Sequence, residues 1–269
     1  MASVSIYDIA REAGVALGTV SRVLNDAPNV GSETRSRVQA AIKRLDYRPS
    51  SVARSLARGS TRSLAMLVPD LSNPLFGDMA SGAQDAADAS DHTVLIYGTN
   101  GSAERERRYI NSFLDQKIDG LLLVRSVLSA EELAPVVARV PVIQFGREHE
   151  LPGGRIIQVD QLHGARTAAE HLIGLGHKRI GLLEGPKTWD AIVDRSSGYF
   201  QALSRADIDA EPDLVACGTL DEAGGLAAMT ELLQRDVEFS AVFASTDLMA
   251  LGAMSALHRH GRRVPQDIS

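Results

Sequence analysis

Ten of the first 62 residues are basic: Arg11, Arg22, Arg35, Arg37, Lys43, Arg44, Arg48, Arg54, Arg58 and Arg62. Five are acidic, Asp8, Glu12, Asp26, Glu33 and Asp46, so this segment is near +5 and the remainder near −11 within an overall −6. Cationic side chains at that density attract a polyanion, which points to nucleic-acid chemistry at one end of the chain. A solvated helical surface could carry the same count by chance. A second set of polar residues, Thr99, Asn100, Arg125, Asp160, Arg195, Thr246 and Asp247, stands at or beyond the ends of short apolar runs. Scattered Asp, Arg and Thr side chains of this kind suit hydrogen bonds to a polyol better than a catalytic acid–base pair.

Other chemistries are disfavoured. No G-x-G-x-x-G follows a strand-like run, and there is no P-loop, G-x-S-x-G or H-E-x-x-H. Gly174-Leu175-Gly176 comes after a helical stretch, the wrong context for a dinucleotide loop. His163, His171 and His177 are spaced by eight and six, which suits no helical metal site. The single Cys217 excludes an internal disulfide framework and a multi-cysteine metal centre. The sequence therefore predicts a binding protein rather than an enzyme, with no catalytic residue, metal or cofactor. Its 269 residues, 44% hydrophobic and 23% charged, have a globular composition with room for two domains or a small module on a larger one. No stretch approaches the ~20 apolar residues that cross a bilayer, and the N-terminus lacks an apolar signal core. A soluble cytoplasmic protein with no membrane partner is expected.

The basic segment reads as short helices. Ser5 to Asp8 fits a capping box, Ile6, Ile9, Ala10 and Ala13 share a face, and Gly14 permits the positive φ of a helix stop. A second helix is predicted over Leu17 to Leu24, with Val20, Val23 and Leu24 apolar, ending at Asn25. A third runs from about Ser32 to Leu45 on Val38, Ile42 and Leu45. After Tyr47-Arg48-Pro49, Ser50 could cap a short fourth helix reaching Gly59, stacked by Val52, Ala53 and Leu56. A polar linker, Ala57 to Arg62, follows.

From Ser63 the period changes. Strand-like runs at Leu64–Val68, Thr93–Tyr97, Gly120–Val124, Val140–Phe145, Ile156–Val159, Arg179–Leu183, Leu214–Ala216 and Ala241–Ala244 are mostly followed by amphipathic segments. Those segments are Phe76–Ala89, Glu104–Gln116, Gly164–Leu175, Ser196–Arg205, Ala223–Leu233 and Leu248–His260. Such alternation predicts an α/β core of parallel sheets covered on both faces, with ligands beyond the carboxyl ends of strands.

Ala10, Gly14 and Val20 have the spacing of a helix-turn-helix: a close helix crossing, a tight turn and an anchor for the second helix. The spacing alone is common to helical hairpins. Here it sits within Ile6-Tyr7-Asp8-Ile9-Ala10-Arg11-Glu12-Ala13-Gly14-Val15 and Thr19-Val20-Ser21-Arg22-Val23-Leu24-Asn25. Thr34-Arg35, Leu45-Asp46-Tyr47-Arg48-Pro49 and Val52-Ala53-Arg54-Ser55-Leu56 follow in order. Together these closely resemble the start of the lactose-repressor (LacI/GalR) family of bacterial transcription regulators.

The resemblance implies roles. The second helix would enter the major groove, with Leu17 and Gly18 at positions that vary with operator sequence. Arg22 would make a bidentate contact to guanine, and Ser21 would lie near bases and phosphates. Ser5, Tyr7, Thr19, Asn25, Thr34 and Tyr47 match positions that hold the DNA backbone, although packing alone would also explain Tyr7 and Tyr47. Ala53 and Leu56 match a hinge helix that pairs in a dimer and wedges Leu56 into the minor groove; burial under the next domain is the alternative for Leu56. Two departures stand out. Ala16 replaces the usual Ser N-cap and Gly18 lies in the first turn, so the helix is predicted to fray without DNA.

Residues 63–269 resemble the family core, which is similar in fold to periplasmic sugar-binding proteins. The implied division is a helix-turn-helix domain over 1–48, a hinge over 49–62 and a core over 63–269, itself two doubly wound subdomains at about 63–160 and 161–269. Leu67 to Phe76 matches the first strand and pocket loop. Asn73 and Phe76 are candidate effector residues, Phe76 as a stacking ring, while Asn73-Pro74 also reads as an ordinary helix start. Thr99, Arg147, Asp160, Arg195, Thr246 and Asp247 complete the effector set. For either Arg147 or Arg195, a solvated surface arginine is the alternative. Thr246 stands where many members have Asn, and Leu220 lies near a position often held by a stacking aromatic. Pro265-Gln266-Asp267-Ile268-Ser269 resembles the approach to another strand, after which the family continues with about two further βα units of ~30 residues each. The chain thus looks C-terminally truncated, whether naturally, by frameshift or as a partial product. An open sheet edge would then lower solubility and weaken effector binding.

The expected protein is a sequence-specific transcriptional regulator, a repressor by resemblance, that binds double-stranded operator DNA as a homodimer or dimer-based oligomer. Its binding would respond to a sugar-like effector, and it would act in the cytoplasm at the nucleoid. A transport-type solute receptor accounts for the body but not for the basic head or the missing signal peptide.

Overall fold

The computed structural model describes residues 4–25, 27–47, 59–146, 151–235 and 237–269. Three helices form the head: α1 (Ile6–Ala13), α2 (Leu17–Leu24) and α3 (Ser32–Arg44). The Asp8 carboxylate accepts from the Ser5 N–H (3.0 Å) and hydroxyl (2.7 Å), which fixes the first turn of α1. These bonds, the hydroxyl's foremost, hold the Asp8 carboxyl below its usual range. Gly14, at φ +62°, ends the helix as expected. Ile9, Ala13, Val20, Val23, Val38 and Ala41 form the head's core, with Ile42 and Leu45 packed beside it. Ala41 rather than Ile42 is the fully buried partner of Val38, because the periodicity of a short helix fixes its inner face only to within a residue. The expected fourth helix, with Ala53 and Leu56, lies outside the described residues.

The α/β core contains a five-stranded sheet ordered β2-β1-β3-β4-β5 and a three-stranded sheet ordered β7-β6-β8. Its strands are β1 (Ser63–Val68), β2 (Thr93–Gly98), β3 (Gly120–Val124), β4 (Val142–Phe145), β5 (Arg155–Ile157), β6 (Ile180–Glu184), β7 (Val215–Cys217) and β8 (Ala241–Ala244). β1 runs parallel to β2 with Ser63 opposite Thr93, and β6 runs parallel to β8 with Ile180 opposite Ala241. β4–β5 and β6–β7 are also parallel. Every residue of β6 is buried, as a central strand covered on both faces requires.

The helices of the core are α4 (Pro74–Asp88), α5 (Ala103–Asp115), α6 (Ala130–Val137), α7 (Gln161–Gly174), α8 (Asp190–Arg205), α9 (Glu222–Gln234) and α10 (Asp247–Arg259). By mutual contact the chain groups into two compact units, Met1–Leu122 with Ala138–Pro141, and Leu123–Val137 with Val142–Ser269. In the second, α9 and α10 cross at glycines. A Cβ on Gly225 would collide with the Met249 backbone, and one on Gly252 with the Glu222 carbonyl.

Several boundaries differ from the sequence reading. α6 was not expected, because Pro135 interrupts its pattern, although Ser129 and Glu132 form a capping box at its start. α8 begins at Asp190 rather than near Ser196. Leu214 belongs to a 3-10 turn (Pro212–Leu214) that precedes β7. At the other end of the second unit, the Ser269 N–H donates to Ser240 (3.0 Å) and its carbonyl accepts from Val242 (2.9 Å), so the residue aligns beside β8.

Candidate functional site

In the head, Val20 and Val23 anchor α2 in the core while Leu17, Gly18 and Arg22 are exposed. Ala16 provides no side-chain cap, as its side chain dictates. The Arg22 Nε donates to the Gly18 carbonyl (3.2 Å), an engagement that does not use the two terminal nitrogens of the guanidinium fork. The Asn25 side-chain amide donates to the Ser21 carbonyl (3.0 Å), so Asn25 closes the last turn of α2. Tyr7 is 64% exposed, which rules out simple packing as its role, whereas Tyr47 is half-buried against the head's core. Ser5 uses its hydroxyl on Asp8, and Thr19, Ser21 and Thr34 are half-buried.

The structure divides the head's positive charge in a way the sequence did not signal. Arg37 donates from α3 to the carbonyls of Ala13 (2.5 Å) and Gly14 (3.1 Å), fastening the turn between α1 and α2. These are the end carbonyls of α1, where a cation also complements the helix dipole. Arg35 donates to the Ala27 carbonyl (2.6 Å), and Arg44 pairs with Glu12. These bases hold turns and helices together as well as contributing to the field.

In the first unit, the sequence-predicted residues are largely structural. The Asn73 Oδ1 accepts from the Leu75 N–H (3.0 Å) as N-cap of α4, with Pro74 at its first position, so the plain helix-start reading is realised. Phe76 is only 5% exposed, which corrects its reading as a ring standing open for stacking; it packs within the unit. Thr99 is buried, with its N–H (2.9 Å) and hydroxyl (3.4 Å) both on the Val68 carbonyl.

The second unit gathers polar groups more tightly. Arg195 on α8 donates through Nε to Gln161 at the start of α7 (2.8 Å) and through Nη1 to the Ser245 carbonyl after β8 (2.5 Å). Its burial lowers its pKa while the nearby Asp247 opposes that shift. A freely solvated arginine is therefore the wrong description. Asp160 caps α7 by accepting from the His163 N–H (2.8 Å), and Thr246 caps α10 by accepting from the Met249 N–H (3.2 Å). Two capped helix starts and one guanidinium thus meet at strand carboxyl ends, an arrangement of donors and acceptors suited to hydroxyl groups. Arg147 lies outside the described residues. Leu220 leaves no aromatic surface: it packs against Gly185 and the core beneath α9.

Two features escaped sequence reasoning. The Arg125 guanidinium lies 3.4 Å from the centre of the Trp189 ring. The chain's only tryptophan, following Gly185-Pro186, was the available signal. Glu184 at the end of β6 is buried, with Lys187 Nζ at 3.4 Å and the Cys217 thiol at 3.8 Å. Burial, then the Glu184 charge, pushes that thiol's pKa up, which makes Cys217 a poor nucleophile. Among the described residues, no helix is long and apolar enough to cross a membrane.

An N-terminal helix-turn-helix joined to an α/β core with polar strand ends defines a class: regulators built from a DNA-reading head and a binding-protein-like body. Two family profiles match in that order. Residues 5–50 match bacterial regulatory proteins of the lacI family, and residues 61–269 match periplasmic binding proteins and the sugar binding domain of the LacI family. The chain belongs to the LacI family of bacterial transcriptional regulators. It is 37% identical over 268 residues to the HTH-type transcriptional regulator GalR of Salmonella typhimurium, and 35% identical over 269 residues to the HTH-type transcriptional repressor CytR of Escherichia coli. Each alignment covers 98% of this chain and 78% of the relative. Among solved structures, it is similar to the Lac repressor dimer bound to operator and the anti-inducer ONPF (TM-score 0.88, 29% identity, covering all of this chain and 81% of that one). It is also similar to the CelR–cellobiose complex (TM-score 0.66, 32% identity, covering 99% and 81%).

Proposed function

We propose that this protein is a repressor that binds a pseudo-palindromic operator as a dimer and changes its DNA affinity when a small neutral sugar binds. The observation that carries this reading is the two-sided α2. Val20 and Val23 are buried on one face, while Leu17, Gly18 and Arg22 remain exposed on a helix of the length that fits a major groove. In this reading residues 1–48 read DNA, 49–62 form the hinge with Ala53 and Leu56 at the operator centre, and 63–269 hold the effector and the dimer contacts. Arg22 reads guanine, Leu17 and Gly18 set base preference, and Ser21 approaches bases and phosphates. Ser5, Tyr7, Thr19, Asn25, Thr34 and Tyr47 hold the DNA backbone.

Asp160, Arg195, Thr246 and Asp247 bind effector hydroxyls, and Arg147, Asn73 and Thr99 are further candidates for contacts to the same ligand. The protein acts in the cytoplasm on chromosomal DNA and has no catalytic role. Gel-shift titration with genomic fragments flanking the gene tests this. Retarded complexes at nanomolar protein that dissociate on adding a sugar support it. Binding of equal strength to every fragment, or none at low salt, sinks it.

A further inference from the structure

Arg125 and Trp189 come from different sheets. Arg125 is the first residue after β3 of the five-stranded sheet, held at φ +55° with its N–H on the Phe145 carbonyl (3.0 Å). Trp189 is the N-cap of α8, which packs on the three-stranded sheet, and its N–H donates to the Pro186 carbonyl (3.2 Å). Its carbonyl in turn accepts from Ile192 (2.9 Å) and Val193 (3.1 Å). Both backbones are thus fixed, and the guanidinium and the half-buried indole meet at 3.4 Å. Trp189 opens the helix whose next turns carry Arg195, the guanidinium that ties α7, α8 and the end of β8 together.

We propose that the Arg125–Trp189 stack is a clasp on the effector site, and that a neutral aldose displaces the guanidinium from the indole by stacking its C–H face there. This rests on the effector reading above and adds to it a specificity element and an order of events. An indole face attracts a cation through the ring quadrupole and accepts polarised C–H groups in the same place, so the two ligands compete for one surface. An anionic ligand such as a sugar phosphate would instead seek the guanidinium and leave the indole.

Because Trp189 is the only tryptophan, its fluorescence reports the clasp directly. Emission spectra and calorimetric titrations with D-glucose, D-ribose, cellobiose and glucose 6-phosphate would be compared for the wild type, Arg125→Ala, Arg125→Lys and Trp189→Leu, with circular dichroism confirming folding. In the ligand-free protein, Arg125→Ala should change the emission. The neutral sugar that binds the wild type should change it in the same sense, bind Arg125→Ala about three- to tenfold more tightly, and bind Trp189→Leu at least tenfold more weakly. Arg125→Lys, which keeps the charge without the planar stack, should lie between. Unchanged emission in Arg125→Ala overturns the clasp, as do equal sugar affinities in all variants or preferential binding of the phosphate. If no sugar binds the wild type, the effector reading fails and the clasp's role with it. A surviving emission difference between the wild type and Arg125→Ala would show that the fault lies in that reading and not in the stack.

Discussion

Arg22 and Arg37 are identical in the charge count of the head and differ in what they hold: Arg22 bonds within its own helix, Arg37 across to the end of another. Arg22 is exposed on α2, the helix proposed to read DNA, so Arg22→Ala should weaken binding to the preferred fragment by roughly 1–3 kcal/mol, about ten- to a hundredfold, and relax discrimination at one guanine. Arg37 is fastened to the end carbonyls of α1. Arg37→Ala should lower the head's stability by about 1.5–3 kcal/mol, the range for a charged hydrogen bond. The same variant should change the slope of log affinity against log salt by less than the ~0.9 expected for a lost phosphate contact. Thermal melts and salt titrations of the two variants separate these effects. Asp119 offers a third residue-level test. Its carboxylate accepts from the Ser60 hydroxyl (2.7 Å) and the Thr61 N–H (3.3 Å), and so holds the described end of the linker. Burial alone would raise its pKa, but the Ser60 hydroxyl and the N–H groups of Thr61, Arg62 and Ser63 together draw it below 3.8. A depressed folded pKa means the contribution is complete above the unfolded value and is lost as pH falls through the folded one. Melting of the wild type should therefore show a destabilisation below about pH 4 that Asp119→Asn lacks.

At the scale of elements, α2 is built weakly at the end proposed to meet DNA. Ala16 supplies no cap, and a Cβ on Gly18 would meet no atom within 4 Å. Ala16→Ser should stabilise the helix by about 0.5–2 kcal/mol and Gly18→Ala by about 1 kcal/mol. Hydrogen exchange over Thr19–Val23 in the free protein should slow in both variants. The opposite sign is expected at the α9–α10 crossing, where backbone meets backbone. Gly252→Ala should cost about 1–3 kcal/mol in a denaturant titration, since a close helix pair must move apart. The contrast lies in the surroundings: open space at Gly18 and a facing carbonyl at Gly252. The sequence shows a glycine within a helix in both cases. Element existence was legible because short continuous apolar runs and segments of period 3.6 leave separate marks; β3 and β8 are such runs, and their limits match the expected ones. α6 escaped because Pro135 breaks the periodicity that the Ser129–Glu132 box announces.

For the whole molecule, the proposed dimer is the feature with most at stake, because paired heads raise operator affinity through effective concentration. Leu251 and Met254, one turn apart on α10, are 53% and 50% exposed, an apolar stripe available for a second copy. Replacing both by Glu should shift sedimentation toward the monomer and weaken operator binding at low protein concentration while leaving sugar affinity unchanged. The sequence by itself determined the family, the order of head and body, the alternation of strands and helices, and the two-sided character of α2. Each of these depends on local spacing and on side-chain chemistry along a continuous stretch. Only the tertiary structure decided which bases fasten the head, that Phe76 is packed away, that Arg195 joins three elements, and that Arg125 covers Trp189. Those outcomes depend on contacts between residues distant in the chain, and a side chain's charge or aromaticity does not specify which partner folding will bring beside it.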